Sequence, residues 1–192
     1  MKSLLALDVS SVATGWAFGR IGETPRAGVQ RFAPKGALPD EIWFAALKWM
    51  TATMDAFDPD VVAIEAPILT TGGEGSGFTN AHTQGVLWGL QAVIRTVVKA
   101  KRPSPAKLIN VASARKFFTG HGRFPKDQAK PAVKRRCIEL GWLTEEDATY
   151  DKADALCVWA KAAGDLDRSF AANFTELGTA RERRVPSMQE LF

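Results

Sequence analysis

Short apolar runs alternate with amphipathic stretches along most of the chain, and this pattern predicts its secondary structure. Residues 4–8 and 61–65 are continuous apolar runs that end in an acidic residue, as in strands buried on both faces. Residues 14–19 and 28–32 predict two further strands, which could form an antiparallel meander with the first. Another short apolar run predicts a strand at residues 108–111.

Helical spacing of apolar residues occupies the intervals between these strands. It predicts helices over residues 40–57, 79–99, 113–118, 127–140 and 151–163. We therefore expect an α/β fold, with a mixed sheet flanked by helices. Residues 1–164 are predicted to form one domain, and residues 165–192 a partly flexible C-terminal extension. Four tryptophans occupy apolar helical positions and are expected mainly in the core: Trp43, Trp49, Trp88 and Trp159.

Charge adds one feature to this picture. The 192 residues are 46% hydrophobic and 24% charged, which is typical of a globular domain. The net charge is +4, and basic residues crowd between residues 99 and 134, where Asp127 is the one acidic residue. Such a stretch is more often a solvated surface than a nucleic-acid site, so the patch does not decide the function by itself.

The cysteines and the hydropathy bear on location. Cys137 and Cys157 lie in apolar helical contexts, and a sequence with no CxxC motif and only two histidines does not favour a zinc site. We expect both to be buried thiols of a reduced protein. Because Asp8 interrupts the first apolar run and no long apolar span follows, we expect a cytoplasmic protein without a membrane contact.

Four acidic residues in three places are the main candidates for chemistry. Asp8 and Glu65 end the two apolar runs, and Asp151 and Asp154 share one face of the last helix. A carboxylate at such a position is costly unless a cation lies against it, and oxygen ligands suit Mg²⁺ or Mn²⁺. Two ions would neutralise the cluster, one activating a water and the other stabilising the leaving 3′ oxygen of a phosphodiester.

Three of these four acidic residues also have an ordinary structural interpretation. Asp8 could cap a turn at Ser10 and Ser11. Asp151 could be the N-cap of its helix, a position that Asp favours. Asp154 could be an exposed acid that suits the dipole of the first helical turn.

The order and local sequence of these residues resemble the RuvC-type Holliday-junction resolvases of the ribonuclease H-like superfamily, including its phage-type members. Residues 7–17 (LDVSSVATGWA) resemble the first family motif, and residues 62–65 (VAIE) the second. Residues 119–122 (TGHG) with Lys126 resemble the third, and residues 151–156 (DKADAL) the last. The similarity extends from about residue 4 to residue 163.

This resemblance implies a metal-dependent endonuclease that cuts four-way DNA junctions as a homodimer with two Mg²⁺ or Mn²⁺ ions. It assigns catalysis and metal binding to Asp8, Glu65, Asp151 and Asp154. Arg115 and Lys126 match two basic positions that contact phosphate. The DNA-contacting candidates are completed by Lys116, His121, Arg123, Lys130 and Phe78.

One departure from the family concerns the aromatic residue that it usually carries three positions after the glutamate. Ile68 stands there, and a glycine-rich loop follows. Phe78 is a candidate to insert between bases in its place, since apolar side chains can do so. Packing of Phe78 beneath the loop is the alternative.

Other functions and partners are compatible with the same residues. A broader branched-DNA nuclease and a non-cutting DNA-binding scaffold are alternatives, and a third is an actin-like phosphotransferase, for which the chain lacks a second lobe. Residues 188–192 (MQELF) distantly resemble peptides that dock into bacterial sliding clamps, with a tail that folds back on the dimer as the alternative. The helix at 79–99 is a candidate dimer face, and the alternative is that it belongs wholly to the core of one chain.

Overall fold

A five-stranded mixed sheet forms the centre of the computed structural model, which describes residues 1–34, 36–67, 81–125 and 127–174. Its strands are β1 (Ser3–Asp8), β2 (Thr14–Arg20), β3 (Arg26–Gln30), β4 (Val61–Glu65) and β5 (Lys107–Ile109). They lie in the order β3-β2-β1-β4-β5. β1, β2 and β3 are antiparallel, whereas β4 is parallel to β1 and β5 is parallel to β4. The predicted meander and the mixed α/β sheet are confirmed.

Helices cover both faces of this sheet. They are α1 (Pro39–Phe57), α2 (Ala81–Lys101), α3 (Val111–Thr119), α4 (Ala129–Glu139) and α5 (Tyr150–Leu166), and residues 168–174 are also helical. Along β1, Leu5 and Leu7 pack with α1 and α2, whereas Leu4 and Ala6 pack with α3, α4 and α5. This alternation explains why β1 is apolar from Leu4 to Leu7, because both faces of the strand are buried there.

α5 is the helix most closely joined to the sheet. Its Trp159 is fully buried, and the indole Nε1–H donates a hydrogen bond of 3.0 Å to the main-chain oxygen of Leu4. Beyond α5, Phe170 and Phe174 pack against the same core. The helix passes residue 164 without interruption, so part of the expected extension packs on the core, while the division of the chain into 1–164 and 165–192 stays a prediction.

Three local predictions differ from the structure. β3 lies two residues earlier than its predicted range of 28–32. Val111 begins α3 instead of ending a strand, because the Asn110 side chain accepts a hydrogen bond from the Ser113 amide and so caps that helix. Trp88 is 42% exposed on α2 and is not part of the core.

Both cysteines are buried, as expected, and burial raises the pKa of the Cys137 thiol to about 12. In the described chain, each helix is too short or too polar to cross a lipid bilayer. Several predictions lie outside the described residues, namely those for Ile68, Phe78, Lys126 and the peptide 188–192.

Candidate active site

Asp8 and Glu65 meet at one edge of the sheet. β1 and β4 are parallel neighbours in which Leu7 pairs with Ile64, so the residues that follow leave the sheet side by side. The carboxyl groups of Asp8 and Glu65 lie close enough to share a hydrogen bond. Among the described residues, the turn after β1 is held by hydrogen bonds between Ser10 and Thr14 and not by Asp8. The Thr14 Oγ1 accepts a hydrogen bond from the Ser10 amide and donates one to the Ser10 oxygen.

The beginning of α5 is brought to the same edge. Thr149 is the N-cap of this helix and accepts a hydrogen bond from the Lys152 amide, so Asp151 lies in the first turn and is not the cap. Gly15 pairs with Asp8 across β1 and β2. A Cβ atom on Gly15 would lie 2.0 Å from the main-chain oxygen of Asp151, so only glycine lets α5 approach this closely.

Burial and mutual repulsion disfavour the charges of three of the four acidic residues. Burial, then the charges of Glu65 and Asp154, raise the pKa of Asp8 to about 8. Burial and the Asp154 charge also raise the pKa of Glu65, and burial raises that of Asp154. Asp154 is only 6% exposed, so the alternative of an exposed helix-dipole acid is wrong for this residue.

Two basic side chains partly offset this negative charge. The Lys130 Nζ lies 3.6 Å from the Asp154 Oδ2, and an Arg115 terminal nitrogen lies 4.0 Å from the Asp154 Oδ1. Both cations lower the pKa of Glu65 and Asp154. The Arg115 Nε is buried and has no hydrogen-bond partner among the described residues. The cluster therefore carries more negative charge than its two cations neutralise.

Comparison with known proteins places this geometry in a recognised fold. No protein-family model matches the sequence, and no curated protein matches it in sequence. The structure of Thermus thermophilus RuvC superposes with a TM-score of 0.63 and 15% identity, over 85% of this chain and 95% of that protein. T. thermophilus RuvC in complex with a Holliday junction substrate superposes with a TM-score of 0.65 and 15% identity, over 88% of this chain and 98% of that protein. The yeast mitochondrial Holliday junction resolvase Ydc2 superposes with a TM-score of 0.53 and 12% identity, over 94% of this chain and 83% of that protein.

The chain has the RuvC fold. The ribonuclease H-like α/β architecture expected from the sequence is thereby confirmed. At 12–15% identity, the likeness rests on the arrangement of the chain and not on shared side chains. The roles of the individual site residues stay predictions.

Within the RuvC fold, the donor set of the site fits hard divalent cations, since it consists of carboxylate oxygens. As placed, however, no three acidic, histidine or cysteine side chains of the described ranges are arranged to hold one ion. Carboxylates without a metal between them repel one another, and Asp154 is turned to Lys130 and Arg115 instead. Metal binding would thus require the carboxylates to draw together and Asp154 to exchange these partners.

The remaining predicted DNA-contacting residues lie around this RuvC-fold site. Lys116, His121 and Arg123 are exposed on α3 and the segment after it. Over the part of the chain that the structure describes, the ion pairs of the four acidic residues come from Arg115 and Lys130. The sequence indicated Lys130 as a DNA contact, but its position in the site follows from the way α4 packs on α5.

Sequence reasoning missed one residue beside the site. Gln91 of α2 is 5% exposed, and its Nε2 donates a hydrogen bond of 3.1 Å to the main-chain oxygen of Glu65. A polar residue between the buried apolar positions Leu90 and Ile94 was the available signal, since a buried amide needs a partner.

Proposed function

We propose that this protein is a divalent-cation-dependent endonuclease that cuts four-way DNA junctions. The observation that carries the proposal is the convergence of Asp8, Glu65 and Asp154 on one sheet edge of a RuvC fold. One protein of this fold has been solved in complex with a Holliday junction substrate, which supports branched DNA as the ligand. An under-neutralised carboxylate cluster would destabilise a protein that only binds DNA.

In this proposal, Asp8, Glu65, Asp151 and Asp154 hold two Mg²⁺ or Mn²⁺ ions. Bound ions of this kind supply an activated water and stabilise the charge on the leaving oxygen of a phosphodiester. The buried neighbours Leu7 and Ile64 hold the backbone from which the carboxylates of Asp8 and Glu65 extend. Lys130 is partly exposed and can leave Asp154 when a stronger cation arrives.

Arg115 and Lys130 are proposed to bind the phosphate that is cut. Once Asp154 has other partners, both cations are available to an anion at the same edge, and the Arg115 Nε is a donor still without a partner in the described ranges. Lys116, His121 and Arg123 would extend the contact along the DNA backbone. Backbone contacts recognise shape more than sequence and weaken as salt increases.

The twofold symmetry of a four-way junction suits a homodimer. α1 and α2 pack side by side, with the Trp43 ring against Gly89. Large apolar residues are exposed on both helices, namely Phe44 and Leu47 of α1 and Trp88 of α2. We include dimerisation through these helices in the proposal, because large apolar residues exposed on neighbouring helices are typical of protein interfaces.

Two further parts of the proposal rest on the sequence alone. Phe78 would insert into the junction, and residues 188–192 would dock into a sliding clamp. Deleting residues 185–192 and measuring binding to a bacterial clamp tests the second. Unchanged binding would eliminate it.

The decisive experiment is cleavage of a labelled synthetic four-way junction, compared with linear duplex, single-strand, flap and three-way DNA. Each reaction is run with Mg²⁺, with Mn²⁺ and with EDTA, for the wild type and for Asp8→Asn. Asp165→Asn is the matched control, since Asp165 lies at the far end of α5 and pairs with Lys161. We expect paired symmetric nicks in the four-way junction for the wild type and Asp165→Asn, and none with EDTA or Asp8→Asn.

The alternatives give different results in the same experiment. Equal cutting of several branched forms would indicate a broader branched-DNA nuclease. Tight binding of the junction with no cutting in either metal would contradict the enzyme and leave a scaffold. Cutting that persists in Asp8→Asn would place the chemistry elsewhere in the chain.

A further inference from the structure

Gln91 joins α2 to the strand end that carries Glu65. Its amide is almost fully buried, and its Nε2–H donates to the main-chain oxygen of Glu65 at 3.1 Å. The amide following Glu65, that of Ala66, donates to the Ile109 oxygen at 2.8 Å. β4 is thus held at its last residue from the sheet on one side and from α2 on the other.

The other half of the Gln91 amide is left over. Its Oε1 is buried and accepts no hydrogen bond within the described chain. Burying an unsatisfied acceptor is costly, so an unpaired oxygen in a native protein calls for a specific explanation. The contact that links Gln91 to the site is therefore the hydrogen bond from its Nε2–H to Glu65.

We propose that Gln91 is a positioning residue that sets the affinity of the site for divalent cations. The inference rests on the proposed function, because it takes Glu65 to be a ligand. By fixing the carbonyl of Glu65, Gln91 limits the directions in which the Glu65 side chain leaves β4. In metal sites generally, replacing a group that orients a ligand in this way changes metal affinity by roughly ten- to a hundredfold.

Mn²⁺ binding without DNA tests this role directly. Calorimetric titration compares the wild type with Gln91→Met, which keeps the length of the side chain and removes both its donor and its acceptor. Trp43→Phe is the matched control, because it removes the hydrogen bond from the Trp43 Nε1–H to the Val86 oxygen, which also joins a side chain to a main-chain oxygen. We expect Gln91→Met to bind Mn²⁺ about tenfold more weakly, and Trp43→Phe to bind it like the wild type.

Cleavage gives a second readout that a purely structural role would not change. In Gln91→Met, the Mg²⁺ concentration for half-maximal cutting should rise by a similar factor, and high Mg²⁺ should restore most of the rate. If Gln91→Met does not fold, Gln91→Asn, whose amide is one methylene short of the Glu65 oxygen, is measured in the same way.

The two proposals fail in different ways. Mn²⁺ affinity within twofold of the wild type, in a folded Gln91 variant, would overturn the role of Gln91 alone. Equal weakening in Trp43→Phe would overturn it as well, because the effect would then follow from general loss of stability. A wild-type protein that binds no Mn²⁺ and cuts no junction would remove the proposed function and this inference together.

Discussion

Asp8 shows at the scale of one residue how a site can oppose the stability of its own fold. Its carboxyl group lies at the edge of the core, beside Glu65 and Asp154, and its pKa is raised from 3.8 to about 8. In the unfolded chain the same group ionises near pH 4. Between these values, folding must suppress an ionisation that the unfolded chain undergoes, so the folded state loses stability as the pH rises.

Asp8→Asn should therefore stabilise the metal-free protein. We expect a gain of about 1–2 kcal/mol in EDTA near pH 8, because asparagine keeps the size of the side chain and removes the disfavoured charge. The gain should shrink as the pH falls toward 4. Thermal unfolding of both proteins in EDTA measures it, and added Mg²⁺ should narrow the difference by stabilising the wild type. A less stable Asp8→Asn protein at pH 8 would contradict this electrostatic account.

Asp60 has the opposite electrostatic character. The Ser3 amide donates to its carboxylate at 2.7 Å and the Ser3 hydroxyl at 2.9 Å, and these hydrogen bonds lower its pKa. A lowered folded pKa adds stability above the unfolded pKa of 3.8, and this contribution is lost as the pH falls through the folded value.

Asp60→Asn should thus be less stable than the wild type at pH 7, with a difference that disappears in acid. Urea unfolding at pH 7 and at pH 3 checks this expectation. Asp55→Asn, which alters an exposed ion pair with Lys101, is the control and should change little at either pH. An Asp60→Asn difference that is equally large at both pH values would exclude the carboxylate charge as its origin.

The sequence predicted which acidic residues come together better than it predicted their surroundings. Asp8 and Glu65 end strands whose apolar composition predicts burial, and the structure brings both residues to one edge of the sheet. Lys130 could not be assigned to the site in advance, because its position depends on how α4 packs against α5. Gln91 depends in the same way on the approach of α2 to β4.

At the scale of elements, the contact between β2 and α5 determines how the acidic residues of the site are placed relative to one another. Gly15 lies opposite Asp8 in the sheet and directly beneath the first turn of α5. This contact transmits the position of a strand end to Asp151 and Asp154. An atom added at Gly15 would have to displace the main chain of α5, which moves less readily than a side chain.

Gly15→Ala should lower both stability and cleavage. We expect a loss of about 1–3 kcal/mol from overpacking, and a loss of activity of about 100-fold if α5 shifts by about 1 Å. Denaturant unfolding and junction cleavage measure the two effects. Gly85→Ala is the matched control, since its Cβ would have no atom within 4 Å, and it should stabilise α2 slightly. Equal activity of the two variants would show that Gly15 does not position the site.

Element boundaries were predictable where a local signal marks them and less so elsewhere. β4 has its predicted bounds, because Pro59 and Pro67 flank a purely apolar run. β3 was misplaced by two residues, since an alternating pattern on an edge strand does not mark its own ends. The cap of α5 is Thr149, although Asp151 is an equally good capping residue type, and only the backbone path decides between them.

At the scale of the whole molecule, the sequence indicated the helix at 79–99 as a candidate dimer face but did not predict the exposed apolar residues of α1. Helical spacing placed Trp88 with the apolar residues of α2, but in the structure Trp88 is 42% exposed. Periodicity shows that a face is apolar and does not show what covers it. A second copy of the chain is the occupant that we propose.

Trp88→Glu should convert the proposed dimer to a monomer without unfolding the protein. A charge at a buried interface is costly, whereas at this exposed position in one copy it costs little. Sedimentation equilibrium and circular dichroism distinguish assembly from folding. Leu108→Glu, at a similarly exposed apolar residue on β5, should remain dimeric. A wild-type protein that is monomeric at micromolar concentration would contradict the proposed interface.

The hydrogen bond between Trp159 and Leu4 joins residues that are 155 positions apart. It joins the first strand to the helix that carries Asp151 and Asp154, so β1 stays without this packing partner until α5 has been made. During synthesis on the ribosome, a nascent chain holds Asp8 and Glu65 long before it holds the other two carboxylates. The order of synthesis thus delays assembly of the carboxylate site until α5 has been made.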